Sequence, residues 1–293
     1  LKERQHVYQK KLMGAMEVYG KLLPDKLYLY IYLYLRTGKP INLSNPKTFN
    51  DKINWMKIYD RRPIMTDLAD KYKVRDYVKQ KLDSSFLIPL LWAGDNPDDI
   101  PFDALPESFV IKTNHASGTN IIVKDKNNIN KEEIIKKLRK WLKTNYYYPK
   151  REWAYKNIER KAIVEKFISE DGKVPEDYKV FIFNGKAALI EVDHDREVKH
   201  NRSLYDLNWN KLDHTLEHPM SDKVLEKPRQ MDELIKYAEI LGSDFRQARI
   251  DFYIVKDHIY FGEITFYHGA GFERFIPDDE KWNEYYGRMI DLG

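Results

Sequence analysis

The sequence predicts an α+β fold, on three observations. Helical texture fills residues 1–83, and most strand-like runs beyond them fall in adjacent pairs joined by turn signals rather than alternating singly with helices. No GxGxxG follows a first strand and no GxxxxGKS is present, so a doubly wound nucleotide-binding sheet is disfavoured. At 293 residues the chain exceeds the usual size of one hydrophobic core, so subdomains sharing an interface are expected. The texture divides it into a helical region (1–83), a strand and linker (84–105), a small subdomain (106–168) and a C-terminal subdomain (169–293).

In the first region, "SNPKTFNDKINWMKIYDRRP" reads as a capped helix ended by Pro63, and "TDLADKYKVRDYVKQKL" repeats apolar residues at helical spacing. "SFLIPLLWAG" reads as a short buried strand, stopped by "GDNPDDIP". "SFVIKTN" and "NIIVKDK" are two strands of a hairpin-like unit, followed by a helix with Ile134, Ile135, Leu138, Trp141 and Leu142 on one face. "RKAIVEKFI" is another buried strand. "YKVFIFNGKAALIEV" is a hairpin closed at Asn184-Gly185, and "MDELIKYAEILGSDF" is an amphipathic helix. "QARIDFYIV" and "HIYFGEITF" end the core as two strands split at Lys256-Asp257.

Composition narrows the function. The net charge of +4, from 50 basic and 46 acidic residues, is too small to argue for a nucleic-acid partner. The absence of cysteine excludes a disulfide framework, thiolate zinc sites and a cysteine nucleophile, and agrees with a cytoplasmic location. The start of the sequence shows no secretory apolar region. The nine residues from Leu27 to Leu35 fall short of the ~20 that span a bilayer. Their flanking Lys21, Lys26, Arg36 and Lys39 suit an interfacial helix; the alternative is an aromatic helix packed on the rest of the fold.

Two constellations carry chemistry. In "FVIKTNHASGTNIIVK", Lys112 precedes a loop, His115-Ala116-Ser117-Gly118-Thr119-Asn120, whose small residues offer backbone donors to a phosphate; an ordinary β-turn is the alternative. Farther on, a hairpin turning near Lys256-Asp257 sets Asp251 almost opposite Glu263, and cross-strand neighbours lie ~5 Å apart. Two such carboxylates repel unless a cation lies between them, and hard oxygen ligands suit magnesium on nucleotide phosphates. The alternative is pairing with Arg249 or a distant lysine. "GDNPDD" holds a DxD-like set (Asp95, Asp98, Asp99) of the kind nucleotide-sugar glycosyltransferases use, but in a turn.

In this order, a strand lysine, a small-residue loop, "VEKFI" and "RIDFY…FGEITF" resemble the ATP-grasp superfamily. More narrowly, "NPKTFNDKINWMK", "DKYKVRDYV", "LPESFVIKTNHASG", "DYKVFIFNGK" and "YFGEITFYHGAGF" resemble the TupA-like ATP-grasp family of bacterial surface-polysaccharide clusters, over roughly residues 40–275. The resemblance implies an ATP-grasp fold whose two subdomains clamp ATP, with magnesium. Lys112 would contact phosphates under a lid formed by His115, Ser117, Gly118, Thr119 and Asn120. Glu165, Lys166, Phe167 and Ile168 would be the adenine hinge, Glu170 or Asp177 the ribose ligand, and Lys179 a second phosphate cation. Asp251 and Glu263 would hold metal; Thr265 stands where many such ligases have a third ligand, asparagine. Arg249 would stabilise the phosphoryl intermediate. His268, Gly269 and Gly271 would face the acceptor. Apart from the resemblance, "VDHDREVKHNRSLYD" concentrates Arg196, Lys199, His200 and Arg202, which could recognise an anionic sugar, with a solvated charged loop as the default reading.

The reaction so implied is carboxylate–amine ligation through an acyl phosphate, joining an amino acid or peptide to a uronic-acid-type sugar. A small molecule or glycan is the expected substrate, with peripheral contact to membrane or polysaccharide-assembly enzymes. A glycosyltransferase, an ATP-grasp phosphotransferase and a non-catalytic nucleotide binder are the competing readings.

Overall fold

The computed structural model describes residues 19–170, 172–194 and 200–293, with Leu12, Gly14 and Met16 upstream. Helices α1 (Asp25–Thr37), α2 (Phe49–Tyr59), α3 (Pro63–Ala69) and α4 (Val74–Lys81) precede β1 (Leu90–Gly94). The hairpin of β2 (Phe109–Thr113) and β3 (Asn120–Val123) leads to α5 (Lys131–Lys143), the short α6 (Tyr147–Lys150) and β4 (Ala162–Lys166). Then come β5 (Asp177–Phe183), β6 (Lys186–His194), β7 (Asn201–Tyr205), β8 (Thr215–Leu216) and α7 (Met231–Gly242). β9 (Gln247–Val255), β10 (His258–Thr265), β11 (Phe275–Ile276) and α8 (Asp279–Met289) complete the chain.

The strands form a four-stranded sheet β1-β4-β2-β3, a five-stranded sheet β10-β9-β5-β6-β7 and the pair β11-β8. Neighbours within each are antiparallel, as an α+β fold requires. The strand expected from "SFLIPLLWAG" begins only at Leu90 and lies at the sheet edge, half-buried, because Ser84–Phe86 coil into a 3-10 turn.

The N-terminal helices depart from the sequence reading in two places. Thr48 and Asp51 form the capping box that opens α2, but Pro63 opens α3 instead of ending α2. Its fixed φ and missing N–H cost nothing in a first helical turn. The single helical pattern from Thr66 to Leu82 is broken at Asp70, whose Oδ1 accepts from the backbone N–H of Tyr72 (2.8 Å) and Lys73 (3.3 Å). A buried aspartate that caps backbone donors offers the chain an alternative to helix. The turn so made aims Lys71 away from the helix axis.

Alternation splits the five-stranded sheet into an apolar and a charged face. Val180, Ile182, Ile190, Val192, Ile250 and Phe252 join Leu234, Ala238 and Leu241 of α7 in the largest core cluster. The intervening residues of β5, β6 and β9 carry the charges considered below. Asn184-Gly185 (φ 50° and 77°) and Lys256-Asp257 (φ 50° and 63°) both turn with positive φ at the two central positions, the geometry that matches strand twist. After the second turn the register slips by one between Phe261 and Glu263, so Gly262 is a bulge and Glu263 pairs directly with Asp251.

Helix α1 buries Tyr28, Leu29, Tyr32 and Leu33 while Leu27, Ile31 and Tyr34 face outward. Among the described residues no helix is long and apolar enough to cross a membrane.

Helix α8 reaches the start of α2 so closely that a Cβ added at Gly287 would lie 2.2 Å from the Lys47 carbonyl oxygen and 2.8 Å from the Phe49 nitrogen. Both obstacles are backbone and cannot rotate away. Gly287→Ala is expected to destabilise the protein by about 1–3 kcal/mol, read as a lower midpoint in denaturant unfolding; an unchanged midpoint would show that the helices can separate freely.

Candidate functional site

The charged face is built by cross-strand register. Glu263 pairs with Asp251, Asp251 with Lys179 and Lys179 with Glu191, giving one row across β10, β9, β5 and β6. The adjacent row runs Tyr253, Asp177, Asp193, Arg202, and the row on the other side Thr265, Arg249, Phe181. Rows two residues apart share a face, so every charge meets others along and across strands.

Arg249 is the centre of the first group. Its Nε and a terminal nitrogen donate to both oxygens of Asp251, at 2.7 and 2.6 Å, a bidentate fork. The same terminal nitrogen reaches Glu263 Oε1 at 3.2 Å and Thr265 Oγ1 at 3.4 Å, and the other lies 2.9 Å from His268 Nδ1. Burial, with repulsion from Asp177 and Glu263, pushes Asp251 up to about 7 against the attraction of Arg249. Burial also opposes ionisation of Glu263, but Lys71 and Arg249 outweigh it and hold that carboxyl well below its ordinary range.

Lys179 and Arg202 organise the second group. The Lys179 ammonium lies between Asp177 (2.8 Å) and Asp193 (2.7 Å), and only 3% of the residue is exposed. It is therefore spent within the sheet, neutralising acids that share its face. Arg202 is held similarly by Asp193 (2.8 Å), Glu191 (3.2 Å) and the Leu216 carbonyl (2.9 Å). His268 closes the circuit, its Nε2 2.9 Å from Glu273 Oε2. Although burial opposes it, His268 and Arg202 hold the Glu273 carboxyl down at about 2.

The small sheet faces this array with cations of its own. Lys112 on β2 pairs with Glu165 on β4 at 2.7 Å, and Arg75 of α4 takes the other oxygen at 3.2 Å. The loop after Lys112 closes through Thr113 and Thr119, whose hydroxyls lie 2.6 Å apart, and Ser117, Gly118 and Asn120 stay exposed. Gly118 has φ 71° and open space around it. His115 is set apart from those loop residues: it is buried with Nε2 3.0 Å from the Thr144 carbonyl, and burial lowers its imidazole to about 4, so it is neutral at pH 7.

Lys71 joins the two sheets. Its ammonium lies 2.9 Å from Glu263 Oε2 and donates to the Ala116 carbonyl at 3.1 Å, while its backbone N–H donates to the Asn114 carbonyl at 3.0 Å. Asn114, fully buried, donates in turn to Asp70 at 2.8 Å. The helical region thus supplies the contact between the loop and the paired carboxylates.

The loop His268–Gly271 is held from α2. Gly269, Ala270 and Gly271 all have positive φ (55°, 53° and 69°), which costs Ala270 ~1–2 kcal/mol. Buried Asn54 donates to the Gly271 carbonyl at 2.8 Å and buried Lys57 to the Ala270 carbonyl at 2.6 Å. A Cβ on Gly271 would lie 2.6 Å from Asn54 Nδ2, so the glycine lets the Asn54 side chain pack against the loop backbone.

Of the residues singled out from sequence, Lys112 and Glu165 form one cluster, and Arg249, Asp251, Glu263, Thr265 and His268 another; Asp177, Lys179 and Arg202 sit alongside the second. Lys166 and Phe167 line an apolar hollow with Leu91, Leu105 and Pro106, and Ile168 follows the strand end, half-buried. Arg196 lies outside the described residues. Asp98 of "GDNPDD" is on the surface, paired with Arg139 at 2.5 Å. Sequence reasoning missed Lys71, Arg75, Glu191, Asp193 and Glu273. The alternation of "IEVDH" could have found two of these; the others are positioned by packing between units.

Among curated proteins no match is found. Similar solved structures include the D-alanine–D-alanine ligase of Bacillus anthracis complexed with ATP (17% identity, 68% of this chain, 54% of that one, TM-score 0.40). Others are an L-amino acid ligase of Bacillus licheniformis (13% identity, 70% and 42% of the two chains, TM-score 0.44) and an N5-carboxyaminoimidazole ribonucleotide synthetase of Thermus thermophilus (13% identity, 68% and 45%, TM-score 0.39). The chain spans about half the length of these structures. Residues 51–290 match the family described as TupA-like ATPgrasp, and on a match of that extent the chain belongs to the TupA-like ATP-grasp family and has its fold.

Proposed function

We propose that the protein is an ATP-dependent carboxylate–amine ligase that forms an amide through an acyl phosphate, attaching an amino acid or peptide to a uronic-acid-type sugar of a surface polysaccharide. The observation that carries the nucleotide reading is the pairing of Asp251 with Glu263 across β9 and β10, bridged by Lys71 to the loop that follows Lys112. Family membership supports the activity class, and the glycan substrate is an inference from the resemblance of the family's sequences.

In this reading the triphosphate lies between the two sheets. Lys112 and Lys71 would neutralise its charge from two sides, and Ser117 to Asn120 would close over it with backbone N–H groups. Glu165 and the strand end at Lys166 to Ile168 would hold the base. Arg249, pre-aimed by its fork to Asp251, would face the transferring phosphoryl group, where a planar, permanently charged donor set stabilises charge that develops in the transition state.

The donor set fits magnesium. Asp251 and Glu263 offer hard carboxylate oxygens side by side, and acids outnumber permanent cations around them: Asp177, Asp193, Glu191, Asp251, Glu263 and Glu273 against Lys179, Arg202, Arg249 and Lys71. Arg249 and Lys71 supply the counter-charge in this structure, and their retreat toward phosphate would free the carboxylates. Bound there, magnesium would neutralise phosphate charge during phosphoryl transfer. Thr265, which contacts both Arg249 and Glu263, would complete the ligand set through its hydroxyl or through water.

ATP with magnesium is expected to raise the melting temperature of the purified protein, and Glu263→Gln to weaken that rise, by mass action on the folded state. A rise with UDP-sugars and none with ATP would instead make a nucleotide-sugar glycosyltransferase the working answer. Lys71→Ala removes a charge-assisted contact worth ~1.5–3 kcal/mol, so the Kd for ATP should increase roughly 10- to 100-fold. Unchanged affinity by calorimetry would confine Lys71 to a structural role.

A further inference from the structure

We propose that Glu152 forms a subsite for the ammonium group of the acceptor, a primary amine, beside the turn that carries Tyr155. This deepens the ligase reading and rests on it. Glu152 opens the 3-10 turn Trp153–Tyr155, which the segment between α6 and β4 lodges against α3. It is 5% exposed, and its Oε2 is buried without a hydrogen-bond partner. No ion pair to it exists among the described residues.

A buried carboxylate oxygen left unpaired costs several kcal/mol, so natural proteins seldom keep one without a purpose. The nearby cations do not meet the need. Lys57 attracts Glu152 only at a distance, because its ammonium donates to Asn54 Oδ1 at 3.0 Å and to the Ala270 carbonyl at 2.6 Å. Lys150 likewise acts at a distance, its ammonium placed 5.4 Å from the Phe272 ring centre. Burial pushes the Glu152 carboxyl up, and a compact donor cation seated on it, such as an alkylammonium, would hold it ionised.

The position suits an acceptor. The phenol of half-buried Tyr155 is raised by desolvation first, then by the charges of both Glu152 and Glu263, so it stands within electrostatic reach of each. The Tyr146 phenol feels the same two carboxylates and lies against Ser117 of the loop, and its ring packs edge-on to Tyr155 with centres 5.2 Å apart. The two rings thus link the turn that follows Glu152 to Ser117 of the loop.

The test is a melting-temperature titration of the full chain with ethylammonium chloride against equal potassium chloride, run with and without ATP and magnesium. In the wild type, ethylammonium at ten times its Kd should raise the midpoint by roughly 2 °C or more over the potassium control. Glu152→Gln should abolish that rise while its own midpoint without amine stays level or increases, since the carboxyl it replaces has a buried oxygen without a hydrogen-bond partner. Glu152→Asp, which keeps the carboxylate, should retain part of the rise. No rise in the wild type, or an equal rise in Glu152→Gln, overturns the subsite. So does a lowered midpoint in Glu152→Gln with the rise intact, which would make Glu152 a structural counter-charge to Lys57. The nucleotide arm reads the ligase hypothesis separately: an ATP–magnesium shift without an ammonium shift removes the subsite alone. An ammonium shift without any ATP shift removes the ligase reading and leaves an amine site.

Discussion

The register of the five-stranded sheet is the constraint on which the rest of this structure depends. Because side chains alternate and neighbouring strands lie only ~5 Å apart, five strands with acids and bases at every second position must stack those charges in rows. Pairing Asp251 with Glu263, and Asp177 with Asp193, brings like charges together on one face. The fold answers with Lys179 between Asp177 and Asp193, Arg202 between Asp193 and Glu191, and Arg249 forked on Asp251. Removing one partner from such a buried group typically costs about 3–5 kcal/mol, because the charge left behind has no solvent. The bulge at Gly262 matters for the same reason: the one-residue shift in pairing sets Glu263, rather than Gly262, opposite Asp251.

A second dependence links the helical region to that face. Asp70 breaks a helix, and the turn it makes delivers Lys71 to Glu263 and to the loop after Lys112. Four residues on, Arg75 reaches Glu165, so one short segment touches both carboxylate clusters. Helix α2 acts on the opposite side, where Asn54 and Lys57 hold three successive residues of positive φ in the His268–Gly271 loop. Strain of that kind persists only where surrounding bonds over-determine it. The candidate site is therefore shared by elements far apart in sequence, and the N-terminal helices are part of it.

Much of the fold was legible in the residues. The Asn184-Gly185 turn, the alternation of "RIDFY" and "FGEITF", and the lysine-bearing hairpin from Phe109 to Val123 all depend on local rules of turn and pleat, and the strands form where those rules put them. The pairing of Asp251 with Glu263 followed from counting outward from Lys256-Asp257. Helix punctuation was less secure. Pro63 is read equally as a stop or as a first-turn residue, and Asp70 breaks an apolar period that continues through it.

What the sequence by itself determined is the set of local elements, the turn positions and the presence of two acids facing each other beside an arginine. Those features arise from backbone sterics and from periods of two and 3.6 residues, which operate over a few positions. Only the tertiary structure decided which cations serve which acids. It gave Lys179 and Arg202 to the interior of the sheet, buried His115 against the Thr144 carbonyl, and brought Lys71 to Glu263, Arg75 to Glu165 and Lys57 to the Ala270 carbonyl from distant segments. A lysine looks the same in sequence whether it faces solvent, a phosphate or a buried aspartate. Its role is set by the charge and dielectric around it, and that environment exists only once the chain has packed.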